Sequence, residues 1–126
     1  MNIRIDEYMN NRLEKAVKDF GLDRSEIIVR CIRKYHSLCS NVLRIKRKNM
    51  YNTYIKNCEI SFRTGPISKE IMDLVNKRPR HKVSVNQIIE TAIHIGLNYA
   101  YEKYKPRKEF ISSLKEGRDY HVVQIE

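Results

Sequence analysis

One pattern constrains this chain more than any other, because it is written twice: a short alternating stretch followed by two amphipathic helical stretches. In the first copy Ile3 and Ile5 alternate with Asn2 and Arg4, the period of a strand with one buried and one polar face. Asp6 ends that stretch and is an N-cap residue with Glu7 behind it. Met9, Leu13, Ala16, Val17 and Phe20 then recur at helical spacing up to Gly21, a helix-stop residue. A second helix opens at Asp23-Arg24-Ser25-Glu26 and carries Ile27, Ile28, Cys31, Ile32, Tyr35 and Leu38 on one face. The pattern returns at Cys58, Ile60 and Phe62, which alternate with Glu59, Ser61 and Arg63 up to Thr64-Gly65-Pro66. Ile67, Ile71, Leu74 and Val75 form the next helical face, and Lys77-Arg78-Pro79-Arg80-His81 breaks it. A helix from about Ser84 to about Tyr101 follows, bearing Val85, Ile88, Ile89, Ala92, Ile93, Gly96, Leu97 and Ala100.

The repeat dictates a fold class. A lone strand has no partner, and two helices cannot bury both their faces on it. Two copies together give a two-stranded antiparallel ribbon backed by four helices, a mainly α fold held within one chain as an intramolecular pseudo-dimer. Ile5 to Ile27 spans 22 residues and Phe62 to Ile88 spans 26, so the copies are diverged and the second has the longer loops. At 126 residues the chain suits one compact domain. The organisation predicted is a first unit over 1–36, a basic linker over 37–56, a second unit over 57–105 and a tail over 106–126, with both units in one fold. Within the linker, Val42, Leu43 and Ile45 extend the apolar pattern and predict helix in its first half. In the tail, the run from Tyr120 to Ile125 has strand-like content and either packs on the domain or binds a protein partner.

Charge points to the partner. Lys+Arg 25 against Asp+Glu 15 leaves +10 and a pI near 9.7, which favours a polyanion or an anionic membrane surface. No Gly-rich phosphate loop and no nucleophile elbow occur, so most enzyme signatures are missing and no catalysis or cofactor is expected. Cys31, Cys39 and Cys58 form no C-x-x-C pair, which fits a reducing cytoplasm. Cys31, His36 and Cys39 are close in sequence, but helical spacing places them off a common face, and His81, His94 and His121 have no companion at ligand spacing. No metal site is expected. Neither an export signal nor a membrane span is expected, since Asp6 interrupts the N-terminus before an apolar run develops. The eight tyrosines, scattered over helix and linker, read as packing groups rather than base-stacking platforms.

Residues 3–36 (IRIDEYMNNRLEKAVKDFGLDRSEIIVRCIRKYH) resemble, without a gap, the ribbon-helix-helix family of DNA-binding proteins. The match runs through the strand with its Asp cap, the Gly21 turn and the Arg24-Ser25-Glu26-Ile27 helix start. Residues 58–100 match with an enlarged inter-helix turn, and Ser84-Val85-Asn86 is similar to the corresponding turn of that family. Family members usually dimerise to build the ribbon; holding both halves in one chain is similar to the tandem arrangement of a conjugation protein in the family.

The resemblance implies a ribbon that enters the major groove of double-stranded DNA with outward side chains on base edges. Those side chains are Asn2 and Arg4 from one strand and Glu59, Ser61 and Arg63 from the other. Their chemistry suits the task independently: Arg bridges guanine O6 and N7, Asn suits adenine, and Glu accepts from cytosine N4. The alternative is a polar strand face that is only solvated. The resemblance also implies phosphate contacts at the start of each second helix, at Arg24 and Ser25 and at Ser84, Val85 and Asn86. There, too, cap-type side chains can simply be capping. The linker run Arg44, Lys46, Arg47 and Lys48 can be a solvated face, a membrane-surface patch or a phosphate clamp; the helical stripe beside it is too weak for a membrane anchor, and the clamp is preferred. Three functions share this layer: a transcriptional regulator, a relaxosome accessory protein that binds an origin of transfer, and an antitoxin-like module with a toxin-binding tail. The free chain is expected to be a monomer in the cytoplasm, on the nucleoid when bound, with cooperative assembly on DNA.

Overall fold

The computed structural model describes residues 1–52, 55–79 and 83–115, with residues 104–115 described by their backbone alone. It is mainly helical with one two-stranded antiparallel sheet. In chain order the elements are β1 (Asn2–Ile5), α1 (Glu7–Phe20), α2 (Arg24–Leu38), β2 (Cys58–Ser61), α3 (Ser68–Lys77) and α4 (Val85–Lys115). Single 3-10 turns occupy Arg47–Asn49 and Gly65–Ile67.

The ribbon register follows from the alternation. Asn2 opposes Ser61, Ile3 opposes Ile60, Arg4 opposes Glu59 and Ile5 opposes Cys58. Ile3, Ile5 and Ile60 are buried while Asn2, Arg4, Glu59 and Ser61 are exposed, so one face of the ribbon is apolar and the other wholly polar. Met1 and Phe62 exchange backbone hydrogen bonds of 2.9 and 3.0 Å just beyond the strands, which prolongs the pairing by one residue on each side.

Local chemistry sets the helix ends. The Asp6 carboxylate accepts from the Met9 N–H at 2.9 Å, and Gly21 takes φ 67°, a left-handed stop where a side chain is strained. Asp23 caps α2 by accepting from Glu26 N at 2.8 Å, and Ser84 caps α4 by accepting from Gln87 N at 3.0 Å. The apolar faces close over the ribbon in one core that includes Ile5, Met9, Leu13, Ile28, Ile32 and Ile67, with Leu74, Ile88, Ile89, Ile93 and Leu97 from the second half. Each such side chain contributes about 1.5–3 kcal/mol of transfer free energy. α2 packs most extensively on α4, and Gly96 makes the close approach possible: a Cβ there would stand 2.5 Å from Cys31 Cα.

Four expectations are corrected. Residues 42–45 are not helical: α2 ends at Leu38, Ile45 is instead drawn into the core with its N–H on the Lys77 carbonyl at 2.8 Å, and the next helical turn is only Arg47–Asn49. Leu38, placed on the buried face, is 42 % exposed because it lies where α2 ends. Arg63 is not on the strand, which stops at Ser61. α4 does not end near Tyr101 but continues through Pro106 to Lys115, into the stretch assigned to the tail. The strand-like run from Tyr120 to Ile125 lies outside the described residues. Among the described residues no helix is long and apolar enough to cross a membrane.

Candidate nucleic-acid interface

Pairing two strands with this register gathers Asn2, Arg4, Glu59 and Ser61 onto one solvent-facing surface as two cross-strand pairs. Arg4 Nε lies 3.8 Å from Glu59 Oε2, with the two side chains 70 and 60 % exposed. At that distance and exposure the pair is loose, and water screens it. Arg63 is exposed beside this surface, one residue after the buried Phe62, and its N–H donates to Ser25 Oγ at 3.1 Å. The polar surface is thus a quartet with Arg63 at its margin.

The residues at the second-helix starts are already engaged. Ser25 receives the Arg63 N–H, so its hydroxyl ties α2 to the end of β2 rather than capping its own helix. Asn86 performs the matching task on the other strand. Its Oδ1 accepts from Arg4 N at 2.7 Å and its Nδ2 donates to Arg4 O at 2.9 Å, so one carboxamide pairs with the free edge of β1 as a neighbouring strand would. The main chain beneath the exposed Arg4 side chain is thereby fixed from α4. Arg24 and Val85 are half-buried in the first turns of their helices. The two helix starts differ electrostatically: α2 begins among Asp23 and Glu26, while the first turn of α4 holds no acid. An anion is accordingly better received at Ser84, Val85 and Asn86 than at Arg24 and Ser25.

Arg44, Lys46, Arg47 and Lys48 are all exposed and flank the C-terminal end of α2, held there by Ile45. α2 is 15 residues long, so this basic run stands roughly 20 Å along the helix from the end that meets the ribbon.

From that run the chain returns across α4 toward the ribbon. Tyr51 N donates to Thr91 Oγ1 at 2.9 Å, and the Tyr51 hydroxyl donates to Asp6 Oδ2 at 2.9 Å. Burial and the Asp6 carboxylate push the Tyr51 phenol up to about 12. Lys56 Nζ lies 2.5 Å from Oε1 of Glu90, which is fully buried and also accepts from Asn86 Nδ2 at 2.7 Å. Burial raises the Glu90 carboxyl above its ordinary value, partly offset by Lys56 and Asn86. Nearby, Arg12 bonds both His94 Nδ1 at 2.9 Å and Asn98 Oδ1 at 2.7 Å; burial and this guanidinium lower the His94 pKa. Helical periodicity does not flag Glu90 or Thr91, which lie off the apolar stripe and are buried where Tyr51 and Lys56 of the linker meet them.

Cys31 is buried at the α2–α4 crossing, and desolvation pushes its thiol up to about 12. His36 Nε2 is 2.8 Å from Asp73 Oδ2, and hydrogen bonds from Lys77 and His36 hold the Asp73 carboxyl below its ordinary value. Among the described residues no three His, Cys, Asp or Glu side chains gather as metal ligands; His81 and His121 lie outside them.

Comparison with protein-family models, with curated proteins and with solved structures gave no match for this chain.

Proposed function

We propose that this chain is a sequence-specific double-stranded DNA-binding protein, a transcriptional regulator of the tandem ribbon-helix-helix type that carries out no catalysis. One observation carries the reading: a two-stranded ribbon whose solvent face holds Asn2, Arg4, Glu59 and Ser61, on a chain of net charge +10. A two-stranded ribbon fits the major groove, and those side chains match its donors and acceptors.

In this reading the two halves form a pseudo-dimer about an axis through the Ile3–Ile60 pair. Under that relation Arg4 corresponds to Ser61 and Asn2 to Glu59, so the halves share a backbone and differ in every base-facing side chain. Ser25 and Asn86 correspond as well, and each anchors its helix to the ribbon. Backbone amides at the starts of α2 and α4 receive phosphates, α4 more favourably, and Arg44, Lys46, Arg47 and Lys48 add sequence-independent attraction further out. The protein acts in the cytoplasm, as a monomer when free, and assembles cooperatively on DNA.

The test is selection from a randomised duplex library, followed by competition between a selected and a scrambled duplex at physiological salt. A preference of 1,000-fold or more, about 4 kcal/mol, is expected of a specific binder. Equal affinity for both duplexes would overturn sequence reading, and no binding to duplex at all would overturn the whole proposal.

A further inference from the structure

Two grooves flank the α2–α4 crossing, and residues at one fixed offset in the sequence line both. Gly96, Tyr99, Ala100 and Lys103 line the first; Tyr35, Leu38, Cys39 and Val42 line the second. Each residue of the first set lies 61 positions after its counterpart, the offset that also relates Ile88 and Ile89 to Ile27 and Ile28. Lys34 of the first groove and Ile95 of the second complete the correspondence at the same offset.

The second groove, of about 460 Å³, is walled on one side by this chain. The segment leaving α2 lines it, with Ile45 only 7 % exposed and its N–H on the Lys77 carbonyl. No such segment lies against the first groove among the described residues. It is a cavity of about 250 Å³ with Phe20, Leu22, Ile27 and Cys31 on its apolar floor. Its rim is cationic: Arg30, Lys34 and Lys103 line it, and among the described residues no carboxylate does. Glu26 meets part of the Arg30 charge at 2.9 Å, and Lys34 lies over the Tyr99 ring at 5.1 Å. The segment lining the second groove carries Arg44, Lys46 and Lys48, so a segment of that kind is repelled here. What fits is an extended stretch with aliphatic anchors and acidic flanks.

The chain contains such a stretch in the equivalent place, after α4. Residues 116–126 (EGRDYHVVQIE) hold Glu116, Asp119 and Glu126 against the single Arg118, with Val122, Val123 and Ile125 between. The distance is no obstacle. From Lys103 to Lys115 α4 rises about 18 Å, whereas ten extended residues from Lys115 to Ile125 span up to about 33 Å. We propose that the groove beside Gly96 is the seat of residues 119–126, whose aliphatic side chains enter it, as Ile45 lines its counterpart, with the acids at the Arg30, Lys34 and Lys103 rim. Each of the two second helices then has the segment that follows it lying against it. The proposal involves no DNA and stands apart from the reading of the ribbon.

The chain contains no tryptophan, so Tyr120→Trp installs a single reporter in the full-length protein. Its emission is expected to be blue-shifted, with acrylamide quenching several-fold weaker than for tryptophan in water. Ile125→Asp, which alters no residue of the described core, should return both readings to those of exposed tryptophan, as should Lys34→Glu in a protein whose circular dichroism is unchanged. An exposed reporter at the outset, or a protected one indifferent to Ile125→Asp, overturns the proposal. Protection that grows with protein concentration also overturns it, since the seat would then be filled by a second copy.

Discussion

Arg4 and Glu59 are directly opposed on the ribbon, with Nε 3.8 Å from Oε2 on a surface where both side chains are mostly in water. An exposed pair at this distance adds little to stability, so the guanidinium can leave its neighbour for a stronger acceptor. A guanine edge is such an acceptor, whereas a phosphate near Glu59 is repelled by the carboxylate.

Glu59→Gln should therefore leave the fold nearly unchanged, within about 0.5 kcal/mol in chemical denaturation. It should tighten binding to all duplexes and weaken discrimination at the base it faces. Anisotropy titrations against a selected and a scrambled duplex measure both effects, and unchanged discrimination would remove Glu59 from the reading surface.

The basic run at the far end of α2 makes a contrasting prediction. Lys46→Ala and Arg47→Ala should weaken every duplex by a similar factor, each reducing the slope of log affinity against log salt by roughly one unit. A substitution there that altered sequence preference would show that this run takes part in reading the bases.

Gly96 tests the packing that positions both second helices. Replacing a mid-helix glycine by alanine normally favours the helix by about 1 kcal/mol. Here the new Cβ meets Cys31 Cα and Cβ at 2.5 Å and its carbonyl oxygen at 2.8 Å, all on or beside the backbone of α2. Overpacking dominates, and Gly96→Ala should destabilise by about 1–3 kcal/mol in thermal or chemical melts. A gain in stability would mean that α2 and α4 are less closely apposed.

The elements most legible in the sequence are those whose signals are local. Asp6, Gly21, Asp23 and Ser84 mark helix ends by chemistry confined to a few residues, and the alternation of Ile3, Ile5 and Ile60 defines the ribbon faces. What the sequence does not display depends on contacts between distant segments. Ile45 looked like the end of a helical stripe but is bound by the Lys77 carbonyl. Pro106 looked like a boundary, yet α4 passes through it. Asn86 matched a phosphate-contacting position, and only the fold reveals that its carboxamide pairs with the edge of β1. Glu90 lies off the apolar stripe and is buried by a linker whose path no periodicity describes.

That buried carboxyl leaves a signature in pH. Its folded pKa lies above the ordinary 4.5, so the native state holds this proton more tightly than the unfolded chain does. The stability it contributes is present below 4.5 and is lost as pH rises through the folded value. Glu90→Gln keeps the shape without the titration, so its stability relative to wild type should rise across that window, read from denaturant midpoints at several pH values. A difference independent of pH would show that Glu90 ionises normally.

The asymmetry of the ribbon bears most directly on the proposed reading of DNA. Asn2 and Arg4 stand on one strand, Glu59 and Ser61 on the other, so equivalent positions offer different groups to the two halves of a site. Selection from a randomised library at single-chain occupancy, run in parallel on wild type and Arg4→Ala, measures whether the bases respond to that difference. The wild type should select a non-palindromic sub-site with a guanine on the Arg4 side. Arg4→Ala should lose that one preference at a cost of about 1–3 kcal/mol while keeping the rest. A short perfect palindrome within one chain's footprint, or a preference untouched by Arg4→Ala, would contradict recognition through this ribbon.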